Sequence, residues 1–403
     1  MSKSINNVTI EKKRAVSLDL ARGTMLLLIV LAHAPLYLYA ADPGIMHRVE
    51  SGSFFDQIVN LFGIFIIDNR ARAMFAVLLG YGLVLALEGQ ISKGKNENHA
   101  VKIVRRRSWY LILFGVVLAV LIGGQDILMA YGIAGLLVSP LLKCKMKTLI
   151  RTFTIITILY IIFIPIIWGF NMQAIGDYGF SPDVSAKDTY LSTTMLRLLF
   201  FPVIPVLIHF MFPILPSVIL GLWIARYQLL IKPEQNLKKL YYITIIGLAI
   251  SLIGALPLSF IGTLWYPSVF TAGMINGIHI LTGIVGGLAY ATGFGIIGSK
   301  LKNLGYFSLS LIALGKRSLT FFVLNEALLV ILLSPVAFDL GGHVSNALAA
   351  LIAISIWILS VILATIMEKN NLNGPLEILL RRLIYKNKTI ERRPSIRSSF
   401  NLL

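Results

Sequence analysis

SLDLARGTMLLLIVLAHAP, residues 17–35, opens an apolar run long enough to cross a bilayer, yet it keeps three ionisable side chains. Asp19 and Arg22 stand at its start and His33 near its end. A helix turns ~100° and rises ~1.5 Å per residue, so Asp19 and Arg22 lie one turn apart on a single face. By the same geometry His33, eleven residues after Arg22, returns to within ~20° of that face and ~16 Å further along. Leu26 and Ile29 lie between them on the stripe. Such a stripe is costly against lipid, so this face is expected to look into a helix bundle.

The rest of the chain agrees with a membrane setting. Of its 403 residues 57% are hydrophobic and 13% charged, and the mean hydropathy is +0.82. That is far from a soluble domain's balance. Runs of about 18 or more apolar residues follow one another, each able to span ~30 Å of hydrocarbon. The formal charge of +18 does not indicate nucleic acid as a partner. Its Lys and Arg stand mostly beside the apolar runs, where they set topology and meet anionic lipid headgroups. The single cysteine, Cys144, cannot form an intramolecular disulfide. No small-residue cleavage site follows the first run, which is expected to be retained as a helix and not removed as a signal peptide.

Ten spans are expected, roughly 18–40, 71–88, 108–123, 126–142, 149–170, 204–225, 240–261, 269–297, 318–336 and 345–367. The apolar stretch 54–67 is short and reads as interfacial or re-entrant, and 195–203 and 304–314 share that ambiguity. Basic residues cluster in alternate loops: Lys12 to Arg14, Arg105 to Arg107, Lys143 to Lys147, Lys238 and Lys239, Lys316 and Arg317, then the tail. The intervening loops hold mainly acids, among them Asp42, Asp56, Asp68, Asp126, Asp177 and Asp339. This alternation predicts an all-α polytopic bundle with both termini cytoplasmic. Residues 1–16 form a basic N-terminus, 17–386 one transmembrane domain, and 387–403 a basic tail.

Polar residues inside the spans are the candidates for function. His209 falls early in the sixth span, and His279 with Asn276 in the outer part of the eighth. Gln125 and Asp126 mark the turn between the third and fourth, and Arg70 and Arg72 flank the second. Together with His33 they fit a polar outer cavity, or equally a set of separate interhelical hydrogen bonds. Asn325 and Glu326 sit near the middle of the ninth span, where a carboxylate must be paired, neutral or facing water. No two of the three intramembrane histidines have a metal-ligand spacing, so no metal is expected.

The segments SLDLARG, FAVLLGYG, QDILMAYGIAG, ALGKRSLTFFVLNEALL and NGPLEILLRRLIY resemble, in this order, the YeiB-like bacterial membrane proteins (domain of unknown function 418). The matches run from about residue 14 to 386. The chain departs from that pattern where Asn325-Glu326 stands in place of a frequent Gln-Ser, and where no His follows Gly115. More distantly the chain resembles the transmembrane acyltransferases, including acyltransferase family 3 and heparan-glucosaminide N-acetyltransferase. Asp19, Arg22, Gly23 and His33 reproduce an Asp-x-x-Arg-Gly motif followed ten residues later by His.

That resemblance implies a multi-pass protein of the bacterial cell membrane. It implies transfer of an acyl group from cytoplasmic acyl-CoA to an envelope glycan or small-molecule acceptor. His33 would then be general base or acyl-carrying nucleophile, with Asn325 or Glu326 orienting the reacting groups, and Asp19 and Arg22 near the donor. The alternative is a proton-coupled transporter or exporter of an amphipathic or lipid-linked substrate, in which the buried His and Glu carry protons.

Overall fold

The computed structural model describes residues 2–39, 52–179, 185–301 and 304–385. The expected basic tail 387–403 lies outside the described residues, as does Asp42. Within the described residues the chain is helical throughout and forms no strand. Fifteen α-helices follow one another. They are α1 (Ser2–His33), α2 (Phe54–Phe62), α3 (Arg70–Ile91), α4 (Glu97–Val116), α5 (Leu128–Val138), α6 (Met146–Ile175), α7 (Tyr190–Phe200) and α8 (Ile204–Met211). Then come α9 (Ile214–Arg226), α10 (Leu237–Phe260), α11 (Val269–Lys300), α12 (Tyr306–Lys316), α13 (Ser318–Leu333), α14 (Asn346–Lys369) and α15 (Pro375–Tyr385).

Among the described residues six helical stretches are long and apolar enough to cross a membrane: Val16–Tyr37, Phe54–Ile91, Met146–Ile175, Pro233–Phe260, Val269–Lys300 and Asn346–Lys369. A seventh arises if α7 and α8, bent by 68° to one another, count as one span. The four other expected spans are not among these stretches. Residues 108–123 end in a π-helical turn, Val117–Ile122, and α5 is only 11 residues long. Residues 204–225 break between α8 and α9 because Phe212 is held extended before Pro213. The ninth, α13, has 16 residues. The ambiguous stretch 54–67 forms α2 and a π-helical turn, Gly63–Ile67, that leads into α3 through Asn69 at φ 64.

In lipid, apolar side chains gain little by leaving their surroundings, so helices associate where small residues let backbones approach. The crossing of α1 and α12 is of this kind. A β-carbon on Gly23 would run into the carbonyl of Leu311, and one on Gly315 into the carbonyl of Asp19. Trp357 of α14 donates its Nε1–H to the Gly23 carbonyl at 3.1 Å, adding a third helix to this point. Gly80 and Gly221 bring α3 and α9 together in the same way.

Further ties fix α13 at both ends. At its start Glu377, from the first turn of α15, accepts the backbone N–H of Leu319 at 2.8 Å and of Thr320 at 3.2 Å. Its other oxygen accepts the Thr320 hydroxyl at 2.5 Å. These are orphan donors of a helix N-terminus, so a side chain from another helix serves as the cap. Just before it, Arg317 pairs with Glu368 at 2.7 Å, and Lys316 holds the other Glu368 oxygen at 2.7 Å. Beyond the far end of α13, the Tyr39 hydroxyl donates to Asp339 and the Tyr39 N–H donates to the Gly341 carbonyl at 3.3 Å. The C-terminal end of α1 and the segment after α13 are thereby bound to each other.

Candidate active site

These ties bring together two residues 293 positions apart in the chain. His33 Nδ1 lies 2.6 Å from Glu326 Oε1. The Glu326 side chain is fully buried, whereas that of His33 is 17% exposed. A carboxylate only accepts, so the bond forms with the proton on Nδ1. Nε2 is then left with its lone pair, the arrangement in which an acid orients an imidazole for proton abstraction. The second Glu326 oxygen, Oε2, has no hydrogen-bond partner among the described residues. A buried carboxylate oxygen left open is costly in a helix bundle, which marks the position as more than packing.

Two neighbouring elements complete the surroundings. Asn325 accepts the Ser360 hydroxyl of α14 at 2.6 Å, which fixes α13 rotationally next to Glu326. The turn Gly123 to Ile127, between the π-helical end of α4 and the start of α5, packs against the Glu326 stem. A β-carbon on Gly124 would come within 2.9 Å of the Glu326 β-carbon. The same turn carries Gln125 and Asp126. Asp126 accepts the N–H groups of Leu128 at 2.8 Å and Met129 at 2.9 Å, capping α5, and lies within electrostatic reach of Glu326 and His33. His33, Glu326, Asn325 and Asp126 thus gather at one place.

Asp19 and Arg22 form a pair at 2.9 Å on the face expected from helical spacing. Arg22 remains 28% exposed and its second terminal nitrogen points towards Gly82 of α3. The stripe between this pair and His33 is closed, since Leu26 and Ile29 are core residues.

His279, Arg70 and Asn276 belong to a different region, around the break between α2 and α3. Arg70 is 1% exposed and gives its N–H groups to the carbonyls of Ile64 at 2.7 Å, Asp68 at 2.9 Å and Ser251 at 2.7 Å. A π-helical turn followed by a left-handed residue strands carbonyls, and the guanidinium satisfies them. His279 Nδ1 lies 3.2 Å from the Asn69 amide and its Nε2 3.1 Å from the Ile64 carbonyl. Asn276 is fully buried with neither side-chain polar atom bonded among the described residues. Arg72 stacks on the Phe212 ring at 3.6 Å. His209 turns back onto its own helix, with Nδ1 2.8 Å from the Pro205 carbonyl. Among the described residues no group of three or more His, Cys, Asp or Glu is placed to hold a metal ion.

Residues 224–387, which include Glu326, Arg317, Glu368 and Glu377, match the family model described as protein of unknown function (DUF418). Over these residues the chain is similar to DUF418 proteins. A Bacillus subtilis (strain 168) relative, the uncharacterized protein YxaH, is 36% identical over 86 residues, 21% of each chain. The matched stretch therefore spans about a fifth of that relative. The DUF418 region contributes the buried acid and its supports, while His33 comes from α1, ahead of it.

Spacing along one helix places Asp19, Arg22 and His33 on one face, but it carries no information about the helix opposite. Ser360 therefore escapes a reading of the sequence, being one small residue inside an apolar run, and Glu377, though part of the segment NGPLEILLRRLIY, shows no sign there of capping another helix. Arg197 escapes for the same reason. Its guanidinium carbon would lie 2.7 Å from a β-carbon on Gly123, so it rests directly on the turn that covers Glu326.

Proposed function

We propose that this protein is a membrane acyltransferase that uses acyl-CoA, with His33 as general base and Glu326 as its orienting acid. The observation that carries this reading is the 2.6 Å His33–Glu326 contact, which joins a partly exposed imidazole to a fully buried acid. The acceptor is an envelope glycan or small molecule with a hydroxyl or amine. His33 Nε2 takes its proton as the oxygen or nitrogen attacks the thioester carbonyl. The carbonyl–sulfur bond then breaks, and the thiol of CoA leaves with the proton returned by the imidazolium. Glu326 holds the ring in one tautomer and offsets its transient positive charge.

The setting we propose is a bacterial cell membrane crossed ten times, with both termini in the cytoplasm. The helices over the four other expected spans complete the count, and the alternation of basic and acidic loops supports the orientation. Arg22 then lies at the cytoplasmic side. It has one nitrogen on Asp19 and enough exposure to bind a phosphate of CoA, for which Arg is suited. Basic loops on that side attract anionic lipids and the polyanionic donor alike. Because Leu26 and Ile29 close the face above Arg22, the acyl arm reaches His33 only after the helices there part.

That closed face, with the open Oε2 of Glu326, favours one second reading: proton-coupled export of an amphipathic or lipid-linked substrate, which needs no acyl arm. Proteoliposomes separate the two. Release of CoA from acyl-CoA that disappears in His33→Ala supports the enzyme. Flux driven by a pH gradient without acyl-CoA, and lost in Glu326→Gln, supports transport.

A further inference from the structure

The break between α2 and α3 holds more positive than negative charge. Arg70 and Arg72 stand in the first turn of α3, and Asp68, just ahead of them, is within electrostatic reach of both. Among the described residues neither guanidinium has a carboxylate in salt-bridge contact. His279 adds no charge, since its Nδ1 accepts from the Asn69 amide and its Nε2 donates to the Ile64 carbonyl. One carboxylate against two guanidinia leaves one positive charge in excess. All three lie in the stretch Phe54–Ile91, which is long and apolar enough to cross a membrane. An unbalanced charge is costly there.

Arg70 gives its N–H groups to carbonyls, but Arg72 does not. Besides the Phe212 ring, the Arg72 guanidinium faces a cavity of about 10 Å³, room for one water-sized particle. Its Nη1 is buried and has no hydrogen-bond partner among the described residues. The cavity is walled by Asn69, Arg72 and Ala73 at the start of α3 and by Pro213, Ile214 and Ser217 at the start of α9, and no acid lines it. Neither Asn69 nor Pro213 caps its helix through a side chain. The positive ends of two helices and a guanidinium nitrogen without a partner therefore meet at one small space.

We propose that this cavity binds one small monovalent anion, chloride, which offsets the excess charge and joins the starts of α3 and α9. The inference goes beyond the acyltransferase reading and does not rest on it. Water is the neutral competitor. It would satisfy Nη1 and also Oδ1 of Asn69, which has no partner among the described residues, but it would leave the charge unbalanced. An unbalanced buried charge costs more than one neutral hydrogen bond left unmade.

Crystals of the full-length protein grown in bromide test this without turnover and without a variant. An anomalous bromide peak beside Arg72 Nη1 is expected. Thermal unfolding in detergent, with chloride replaced by gluconate at constant ionic strength, reads the same site in solution. Chloride raises the midpoint of wild type by ~2 °C or more and saturates. Arg72→Gln loses that rise, Arg72→Lys keeps part of it, and Lys95→Gln, in an exposed basic loop, keeps all of it. Wild-type crystals with no bromide peak beside Arg72 leave water as the occupant and overturn the proposal. A chloride response unchanged in Arg72→Gln, or lost equally in Lys95→Gln, overturns it as well.

Discussion

His33 at the end of α1 and Glu326 in the middle of α13 meet at 2.6 Å although nothing local in the chain joins them. Their meeting depends on α1 being pressed against α12, on α13 being capped by α15, and on the ends of α1 and α13 being tied beyond the site. Each dependence can be tested separately.

Glu377 is the cap of the helix that carries Glu326. Glu377→Ala leaves the N–H groups of Leu319 and Thr320 without an acceptor and frees the Thr320 hydroxyl. Thermal unfolding in detergent is expected to show a loss of about 1–2 kcal/mol, with Glu377→Gln keeping part of it. A melting curve identical to wild type would show that α13 does not need the cap.

Gly23 and Gly82 make a contrasting pair. A β-carbon at Gly23 meets the backbone of Leu311, which cannot yield without parting α1 from α12. One at Gly82 meets only the tip of the Arg22 side chain at 4.0 Å. Gly23→Ala is expected to cost about 1–3 kcal/mol by overpacking. Gly82→Ala is expected to be neutral or to stabilise by about 0.5–1 kcal/mol, because alanine is the better helix former. Denaturation of the two variants side by side checks the difference.

Tyr39 and Asp339 tie the segment after α1 to the segment after α13. Tyr39→Phe removes one hydrogen bond and is expected to cost about 1–2 kcal/mol. Adding Asp339→Asn should cost little more, since the partner is already lost. Fully additive losses in the double variant would show that the two side chains act independently.

The sequence made the helical class legible through run length and hydropathy, and it made the inward face of α1 legible through the 3.6-residue period. Asp19 and Arg22 pair as that period requires, and His33 shares their face. What a period cannot supply is the partner. Glu326 reads as a lone acid in a span, and only packing reveals that His33 is opposite it. His279 and Arg70 look like further members of one polar chamber, yet they serve stranded carbonyls at a π-helical turn. That turn is invisible in a smooth apolar run such as GIFII. Short helices escape similarly, because the apolar run from 204 to 225 gives little sign of its break apart from Pro213.

A double-mutant cycle on CoA release in proteoliposomes tests the dyad most directly. If His33 and Glu326 act as one unit, His33→Ala and Glu326→Ala each lower the rate by about 10²–10⁴, and the double variant is no slower than the worse single one. Losses that multiply in the double variant would contradict the account, as would a Glu326→Ala rate within about twofold of wild type.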